Sequence, residues 1–368
     1  MFRSVSIEGY RGFARYQMHD LGRVNLLVGR NNSGKTTVLE ALHVLGSDGD
    51  PTVIWQACDR RGEIFRDERA LERRGDAALS HLFPGRPDDM RASFSVVGIG
   101  PDPETHRRVN IRILKVDPKT AEADRPLTAN QVNDAESPFR LGIESRLRIA
   151  PVRLDRRGGL SLGLARMAKQ FAAYADAQAS HPVQFVSTAG IPAGDLVGLW
   201  DEVQLAGDES LVVAMLKAID PAIEDIRSLA SAATAGPREG FVVRYANESR
   251  RLPLGSLGDG VWRMLTLAVV LARCKGGMLL VDEIDTGLHH TVMADMWRLV
   301  YDAAKRLDIQ VFATTHSEDC VYSLASICRD DENASDVTIQ RIEAGRTRSI
   351  AYSEAEIRAA AEHRIEVR

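Results

Sequence analysis

Cysteine is scarce, aromatic residues are few and neither sign of charge dominates. The four cysteines among 368 residues, Cys58, Cys274, Cys320 and Cys328, form no Cys-x-x-Cys pair and no Cys/His cluster at zinc spacing. That excludes a disulfide framework or a zinc-finger module and fits a reducing compartment. No apolar run approaches the ~20 residues of a spanning helix; the longest lies around Met264–Ala272. The N-terminus, MFRSVSIEGYRGF, has no hydrophobic signal core. No internal repeat and no sustained heptad pattern occur, which excludes a solenoid or a long coiled-coil arm. A net charge of −4 provides no global basic field for nucleic acid. Arginine pairs at Arg60–Arg61, Arg73–Arg74, Arg107–Arg108 and Arg156–Arg157 read as solvated loops or as a local basic patch. A cytoplasmic chain without membrane anchor is the expectation.

What remains is an ordinary soluble composition, 44% hydrophobic and 27% charged. It suits one large domain with an insertion or two small domains. Residues 4–8 alternate as a strand, with Val5 and Ile7 on one face. VNLLV at Val24–Val28 reads as a strand buried in a mixed or parallel sheet. Thr36–Leu45 reads as a helix with Val38, Leu39, Leu42 and Leu45 on one stripe. Residues 47–90 suggest short helices. Phe94–Ile99 and Val109–Val116 suggest a hairpin. Residues 117–138 are polar and read as an exposed or poorly ordered segment. Helical patterns follow across 160–232, notably Asp195–Val203 and Ser210–Ile219, and Phe241–Tyr245 returns to strand. Beyond Leu257 come a helix from Gly260 to Cys274, a buried strand MLLV (Met278–Val281), a helix Val292–Leu307, a buried strand QVFAT (Gln310–Thr314) and a final hairpin from Val337–Glu343 and Arg348–Tyr352. The fold class expected is α/β, a mixed β-sheet core with an inserted, mainly helical subdomain. The expected divisions are 1–116, 117–240 and 241–368.

Between the first buried strand and its helix lies GRNNSGKTT, Gly29–Thr37, with the spacing of a phosphate loop. Inward N–H groups from Asn32 to Thr36, at a helix N-terminus, suit β- and γ-phosphates. Gly29, Asn31, Asn32, Ser33 and Thr37 complete the loop, and Gly34 lets its backbone approach the phosphates. Lys35 brings a mobile charge to the β/γ oxygens, and Thr36 offers a hydroxyl to Mg²⁺. MLLVDE then sets Asp282 and Glu283 at the C-terminal end of a strand, where open α/β sheets bind ligands. Asp282 suits the Mg²⁺ shell, and Glu283 suits a catalytic base for the attacking water. At the end of the next strand, His316 of FATTHS can donate to the γ-phosphate or the water, or act only as a cap. PLGSLGDGVWRML (Pro253–Leu265) places Ser256, Gly258, Asp259 and Gly260 before a long helix, a second anion-ready N-terminus. One nucleotide needs one cradle, so the second implies another copy of the chain. Asp285 of IDTGLHHTV would lie along the seam. His289 and His290 could approach the partner's nucleotide or be a plain surface pair, without companions for a metal.

The order GRNNSGKT, GSLGDG, LLVDE, DTGLH, TTHS resembles the ATP-binding-cassette ATPases, the P-loop NTPases of ABC type. Within them it is similar to the soluble branch of SMC proteins, RecF and the OLD (overcoming lysogenisation defect) ATPases. IEGYRGF and VNLLVGRNNSGKTT are especially like the OLD-type group, and EHRIEVR is similar to the ending of its ATPase-only members. The resemblance covers roughly 1–115 and 240–345. It implies Walker A roles for Lys35 and Thr36, Walker B and catalytic roles for Asp282 and Glu283, and a signature motif at Ser256 and Gly258 that grips ATP in trans. It implies a D-loop at Asp285, a switch histidine at His316 and a phosphate contact from Arg11. GSLGDG departs from the transporter-like LSGGQ, and its Asp259 puts an acid near the trans phosphate, which implies slow or regulated turnover. Gln56 is the candidate for the Q-loop. No Glu plus Asp-x-Asp set of a Toprim nuclease follows the head.

The expectation is therefore an ATP- and Mg²⁺-dependent ATPase that dimerises head to head on two ATP molecules. Its role would be that of a sensor-regulator in an antiphage defence system, gating a separately encoded effector such as a Toprim-type nuclease or a toxin. The alternative is a RecF-like repair ATPase that clamps DNA. Binding of ATP without turnover is a third reading, opposed by the presence of Glu283.

Overall fold

Short apolar runs make the centre of this molecule because both faces of its main sheet are covered. The computed structural model describes residues 1–65, 75–85, 92–116, 137–146, 149–175, 182–229, 240–246, 250–330 and 336–363. The main sheet runs in the order β11 (Val183–Val186), β15 (Met278–Val281), β16 (Gln310–Thr314), β3 (Val24–Val28), β17 (Val337–Arg341), β18 (Ile350–Tyr352). Its pairings are parallel except for the terminal hairpin β17–β18. A strand buried on both sides reads as a continuous apolar run, yet its side chains still alternate. Leu26, Leu279, Val281, Val311 and Ala313 enter one core, whereas Leu27, Leu280 and Phe312 enter the other.

The first core is closed by α4 (Ala193–Ala206), α5 (Glu209–Ile219), α6 (Asp259–Arg273), α7 (His290–Arg306), α8 (Glu318–Asp330) and α9 (Glu354–His363). A small sheet, β12 (Ile223–Ser228), β13 (Phe241–Tyr245) and β14 (Arg251–Pro253), leans on the same side. The second core lies against an antiparallel sheet ordered β2 (Phe13–Met18), β1 (Ser4–Tyr10), β6 (Ser93–Ile99), β7 (Arg107–Lys115), β8 (Phe139–Glu144), β9 (Val152–Arg153). Beside it sit α2 (Pro51–Asp59), α3 (Leu162–Ala175) and a sheet of β10 (Gly159–Leu160), β5 (Asp76–Ala78) and β4 (Ile64–Phe65).

Helix α1 (Lys35–Gly46) lies between the two large sheets, touching β6 and β7 on one side and β15 and β16 on the other. It is therefore buried almost all round rather than along the one stripe that its leucines suggest. Its polar residues survive burial by pairing. Glu40 is 1% exposed and meets Arg61 Nε at 2.9 Å and Arg11 Nε at 2.8 Å, the latter a charge contact not aligned as a hydrogen bond. Two buried amides fasten the chain start to the main sheet. Asn25 bridges the Gly22 N–H and carbonyl and donates to the Val311 carbonyl. Gln310 accepts from the Phe2 N–H and donates to the Phe2 and Gly22 carbonyls.

Sheet membership does not follow the expected divisions at 116 and 240. β8 and β9 extend the N-terminal antiparallel sheet, and β11 is an edge strand of the main sheet. The described residues between 117 and 240 are thus shared between both cores, because their strands complete hydrogen-bond ladders begun elsewhere. Arg156–Arg157 is an exposed turn, as expected of a solvated loop, but members of two other pairs are not. Arg107 is buried, Arg61 pairs with Glu40, and the Arg60 guanidinium lies 4.1 Å from the Phe185 ring centroid. Arg73–Arg74, residues 117–136 and residues 364–368 lie outside the described residues.

Just after α1, Asp48 is 1% exposed, has a left-handed φ of 52° and leaves Oδ1 without a hydrogen-bond partner. Burial raises its carboxyl from 3.8 to about 6, opposed by Arg146. A folded-state value above the unfolded one means that stability is fully present below pH ~4 and is lost as pH rises through about 6. Asp48→Asn keeps the shape, tolerates the left-handed backbone and carries no charge. We expect it to raise the melting temperature at pH 7.5 by a few degrees, on the order of 2 kcal/mol, and to flatten the pH 4–7 melting profile. An unchanged melting temperature at pH 7.5 contradicts the assignment.

Candidate functional site

Parallel strands deliver their C-terminal ends to one edge, so the loops after β3, β15 and β16 converge there. The loop after β3 turns into α1 through two left-handed residues, Asn32 at φ 61° and Gly34 at φ 105°. Glycine is required at 34 for a second reason: a Cβ would sit 2.5 Å from Cζ of Phe13. Phe13, from the N-terminal YRGF segment, is stacked on Tyr16 and backs the loop. Lys35 Nζ donates to the Gly29 and Arg30 carbonyls at 2.7 and 2.9 Å. Burial lowers its proton affinity, while Asp282 and Glu283 draw it up again. Ser33 Oγ is buried with no partner, and Asn31 and Asn32 are exposed. An orphaned hydroxyl beside a lysine that binds only loop carbonyls fits a site built for phosphate oxygens.

The carboxylates arrive from the neighbouring strand end. Asp282 Oδ2 and Oδ1 lie 3.1 and 3.2 Å from Thr36 Oγ1, and Oδ1 accepts from Thr314 Oγ1 at 2.7 Å. Thr36 and Asp282 form a set of hard oxygen donors of the kind that Mg²⁺ prefers. Among the described residues no cluster of three or more His, Cys, Asp or Glu offers another cation site. Glu283 has a left-handed φ of 46°, and its N–H donates to Thr314 Oγ1 at 2.8 Å. Its carboxylate has looser contacts: Oε1 is 3.7 Å from His316 Nε2, and Oε2 accepts from Thr286 Oγ1 at 3.4 Å. Thr315 Oγ1 donates to Asp285 Oδ1 at 2.6 Å, so the acid expected at a dimer seam is anchored within its own chain.

Around the second glycine loop, Ser256 Oγ donates to the Pro253 carbonyl at 2.7 Å, and Gly258 has a φ of 96° with open space where a Cβ would project. Asp259 starts α6, where an acid complements the positive helix end. Gly260 packs on the loop after Glu283: a Cβ there would be 3.3 Å from the Gly287 carbonyl. An open cavity of about 740 Å³ adjoins these residues, lined by Ser256, Asp259, Trp262, Arg263, Thr286 and the turn at 188–191.

Two expectations change. Arg11 does not touch the loop: its guanidinium is buried against Glu40, Glu63 and the Ala57 carbonyl. Arg61 makes the indirect link instead, donating to Thr37 Oγ1 at 3.0 Å while paired with Glu40. Gln56 is exposed on α2, which packs on α3 and β5, so it does not reach the carboxylates. His289 caps α7 by accepting from the Thr291 N–H, and its ring lies against that of His290. The sequence reading missed Thr314, Thr315 and Arg263. Hydroxyls at a strand end beside an acid pair were a usable signal for the threonines. Arg263 carried none, since an arginine in an apolar helix looks like a solvated residue.

Comparison with known proteins agrees with this arrangement. Residues 1–84 match a family model described as "AAA ATPase domain", and residues 160–319 match one described as "AAA domain, putative AbiEii toxin, Type IV TA system". The chain is 22% identical over 349 residues to an ATP/GTP phosphatase of Helicobacter pylori (strain ATCC 700392 / 26695), covering 91% of this chain and 90% of that one. It is also similar to the SMC head in a crystal structure with the C-winged helix domain of ScpA. That match has a TM-score of 0.50 and 14% identity over 96% of this chain and 98% of that one. Among the described residues no helix is long and apolar enough to cross a membrane. The chain thus has the fold of SMC heads, matches AAA models over residues 1–84 and 160–319, and is an ATPase.

Proposed function

We propose that the protein is an ATP-driven switch whose two copies close head to head on two ATP molecules. The observation that carries this reading is the second cradle. The loop at 29–37 and the loop at 255–260 each precede a helix, yet only the first shares a strand edge with Asp282 and Glu283. Gly258 leaves open space in front of the second loop, which suits the phosphates of a nucleotide held by another copy.

In the reaction, Lys35 leaves the Gly29 and Arg30 carbonyls for the β- and γ-phosphate oxygens. Thr36 and Asp282 would hold Mg²⁺, which neutralises phosphate charge when bound. Glu283 takes a proton from the attacking water as its oxygen bonds to the γ-phosphorus. The bond from that phosphorus to the β,γ-bridging oxygen breaks, releasing ADP and phosphate. His316 donates to a γ-phosphate oxygen and steadies the displaced charge. Loss of the γ-phosphate removes contacts on both sides of the seam, and the dimer reopens.

We further propose that this cycle serves as the sensor and regulator of an antiphage defence system, gating a separately encoded nuclease or toxin. The matched model whose description names a toxin and a type IV TA system supports that role. OLD-type kinship, by the segments IEGYRGF, VNLLVGRNNSGKTT and EHRIEVR, belongs to the same proposal.

Light scattering on a sizing column tests the dimer. With a non-hydrolysable ATP analogue and Mg²⁺, the 40.5 kDa mass should double, and Ser256→Arg should hold it at one chain. A single-chain mass for the wild type with saturating analogue overturns the sandwich. Co-purification with neighbouring gene products, with and without ATP, tests the effector role.

A further inference from the structure

Arg263 sits one turn into α6, is 6% exposed and, among the described residues, has no carboxylate hydrogen-bonded to it. Arginine is rarely buried unless its donors are satisfied; here both Nη groups are satisfied by main chain, while Nε is buried without a hydrogen-bond partner. Nη1 donates to the Ser187 carbonyl at 3.1 Å, and Nη2 donates to the Asp282 and Glu283 carbonyls at 3.0 and 2.8 Å. The acceptors come from the residue just past β11, the residue just past β15 and the general base itself. One planar fork therefore ties two neighbouring strand ends to the helix that begins at the second glycine loop.

The acceptor at Glu283 matters most. A left-handed φ costs an L-residue roughly 1–2 kcal/mol and needs support from its surroundings. Three hydrogen bonds clamp its backbone: the N–H donates to Thr314 Oγ1, and the carbonyl accepts from Arg263 Nη2 at 2.8 Å and from the Thr286 N–H at 3.0 Å. The Glu283 carboxylate, by contrast, has looser contacts among the described residues, at 3.4 and 3.7 Å. Its direction is thus set by the backbone behind it rather than by partners around it.

We propose that Arg263 is a positioning residue: by clamping the left-handed Glu283 peptide from α6, it aims the general base at the attacking water. The inference rests on the reading of Glu283 as that base. The hydrogen bonds of Arg263 go to main-chain carbonyls, one of them that of Glu283, so its effect on the reaction passes through Glu283. Loss of Arg263 leaves the carbonyl to the Thr286 N–H of its own turn, so the peptide loosens and the carboxylate swings away, whereas the phosphate loop keeps its own contacts.

The test is a double-mutant cycle on the full chain, using Arg263→Gln, Arg263→Lys, Glu283→Gln and the double variant Arg263→Gln/Glu283→Gln. Arg263→Gln should bind a fluorescent ATP analogue within about threefold of wild type, while kcat falls roughly 10- to 100-fold, the scale of an ångström-sized misplacement. Arg263→Lys keeps the charge without the fork and should also lose kcat at unchanged affinity, which keeps the proposal testable should the glutamine variant misfold. The double variant should turn over no more slowly than Glu283→Gln alone, because the clamp has no base left to aim. Multiplicative losses in the double variant, wild-type kcat in folded Arg263→Gln, or affinity lost in step with kcat overturns the proposal. Wild-type turnover by Glu283→Gln alone refutes the base assignment instead, a result distinct from any obtained on Arg263.

Discussion

The Glu283→Gln variant is expected to hydrolyse ATP roughly 10²- to 10⁴-fold more slowly than wild type, the range for loss of a positioned general base, with affinity changed by no more than a few-fold. Glutamine matches glutamate in shape and keeps the contacts to Thr286 and His316, but its amide cannot accept the proton from water. Lys35 and His316, which meet phosphate in the proposed reaction, and Thr36, which would hold Mg²⁺, are unaltered. Their partners at the strand edge, Asp282 and Thr314, stay in place as well. Phosphate release under single-turnover conditions, beside a binding titration, separates the two quantities. A kcat within threefold of wild type assigns the base elsewhere. Because bound ATP then persists, the same variant should accumulate as the two-chain species.

Lys35→Ala should abolish nucleotide binding, with a loss of at least about 100-fold. Each charge-assisted hydrogen bond is worth roughly 1.5–3 kcal/mol, and the ammonium makes at least two with phosphate oxygens. A further loss arises before any nucleotide arrives. The lysine spans the loop to the Gly29 and Arg30 carbonyls, and alanine leaves these acceptors without their donor. The side chain is 6% exposed, so water replaces it poorly. Isothermal titration with ATP and Mg²⁺ measures the effect, and affinity retained within tenfold overturns the role given to this loop.

The two predictions lean on parts of the molecule that differ in how readily they are read. The loop at 29–37 is a local object: strand, glycines, lysine and helix lie within a few residues of one another, and their spacing carries the chemistry. The strands β3, β15 and β16 are legible for a similar reason, since burial on both faces leaves an apolar run with sharp ends. Asp282, Glu283 and His316 follow from those ends. Arg11 misled because a position in a motif does not reveal its partners, and Glu40 and Glu63 hold it away from the loop. Gln56 misled because chain proximity to the loop is not proximity to the carboxylates.

The amino-acid sequence by itself determined the chemistry on offer: a phosphate loop, an acid pair after a buried strand, and a second glycine loop that a single nucleotide does not require. These depend on residue type and short-range spacing, and backbone geometry within a strand–loop–helix unit enforces them. Only the tertiary structure decided how the pieces are held. It assigned β8, β9 and β11 to sheets begun far away in the chain, gave Thr314 and Thr315 to Asp282, Glu283 and Asp285, and buried Arg263 against three carbonyls. Hydrogen-bond partners distant in sequence are chosen by packing, where every buried donor must find an acceptor, and no local pattern encodes that choice.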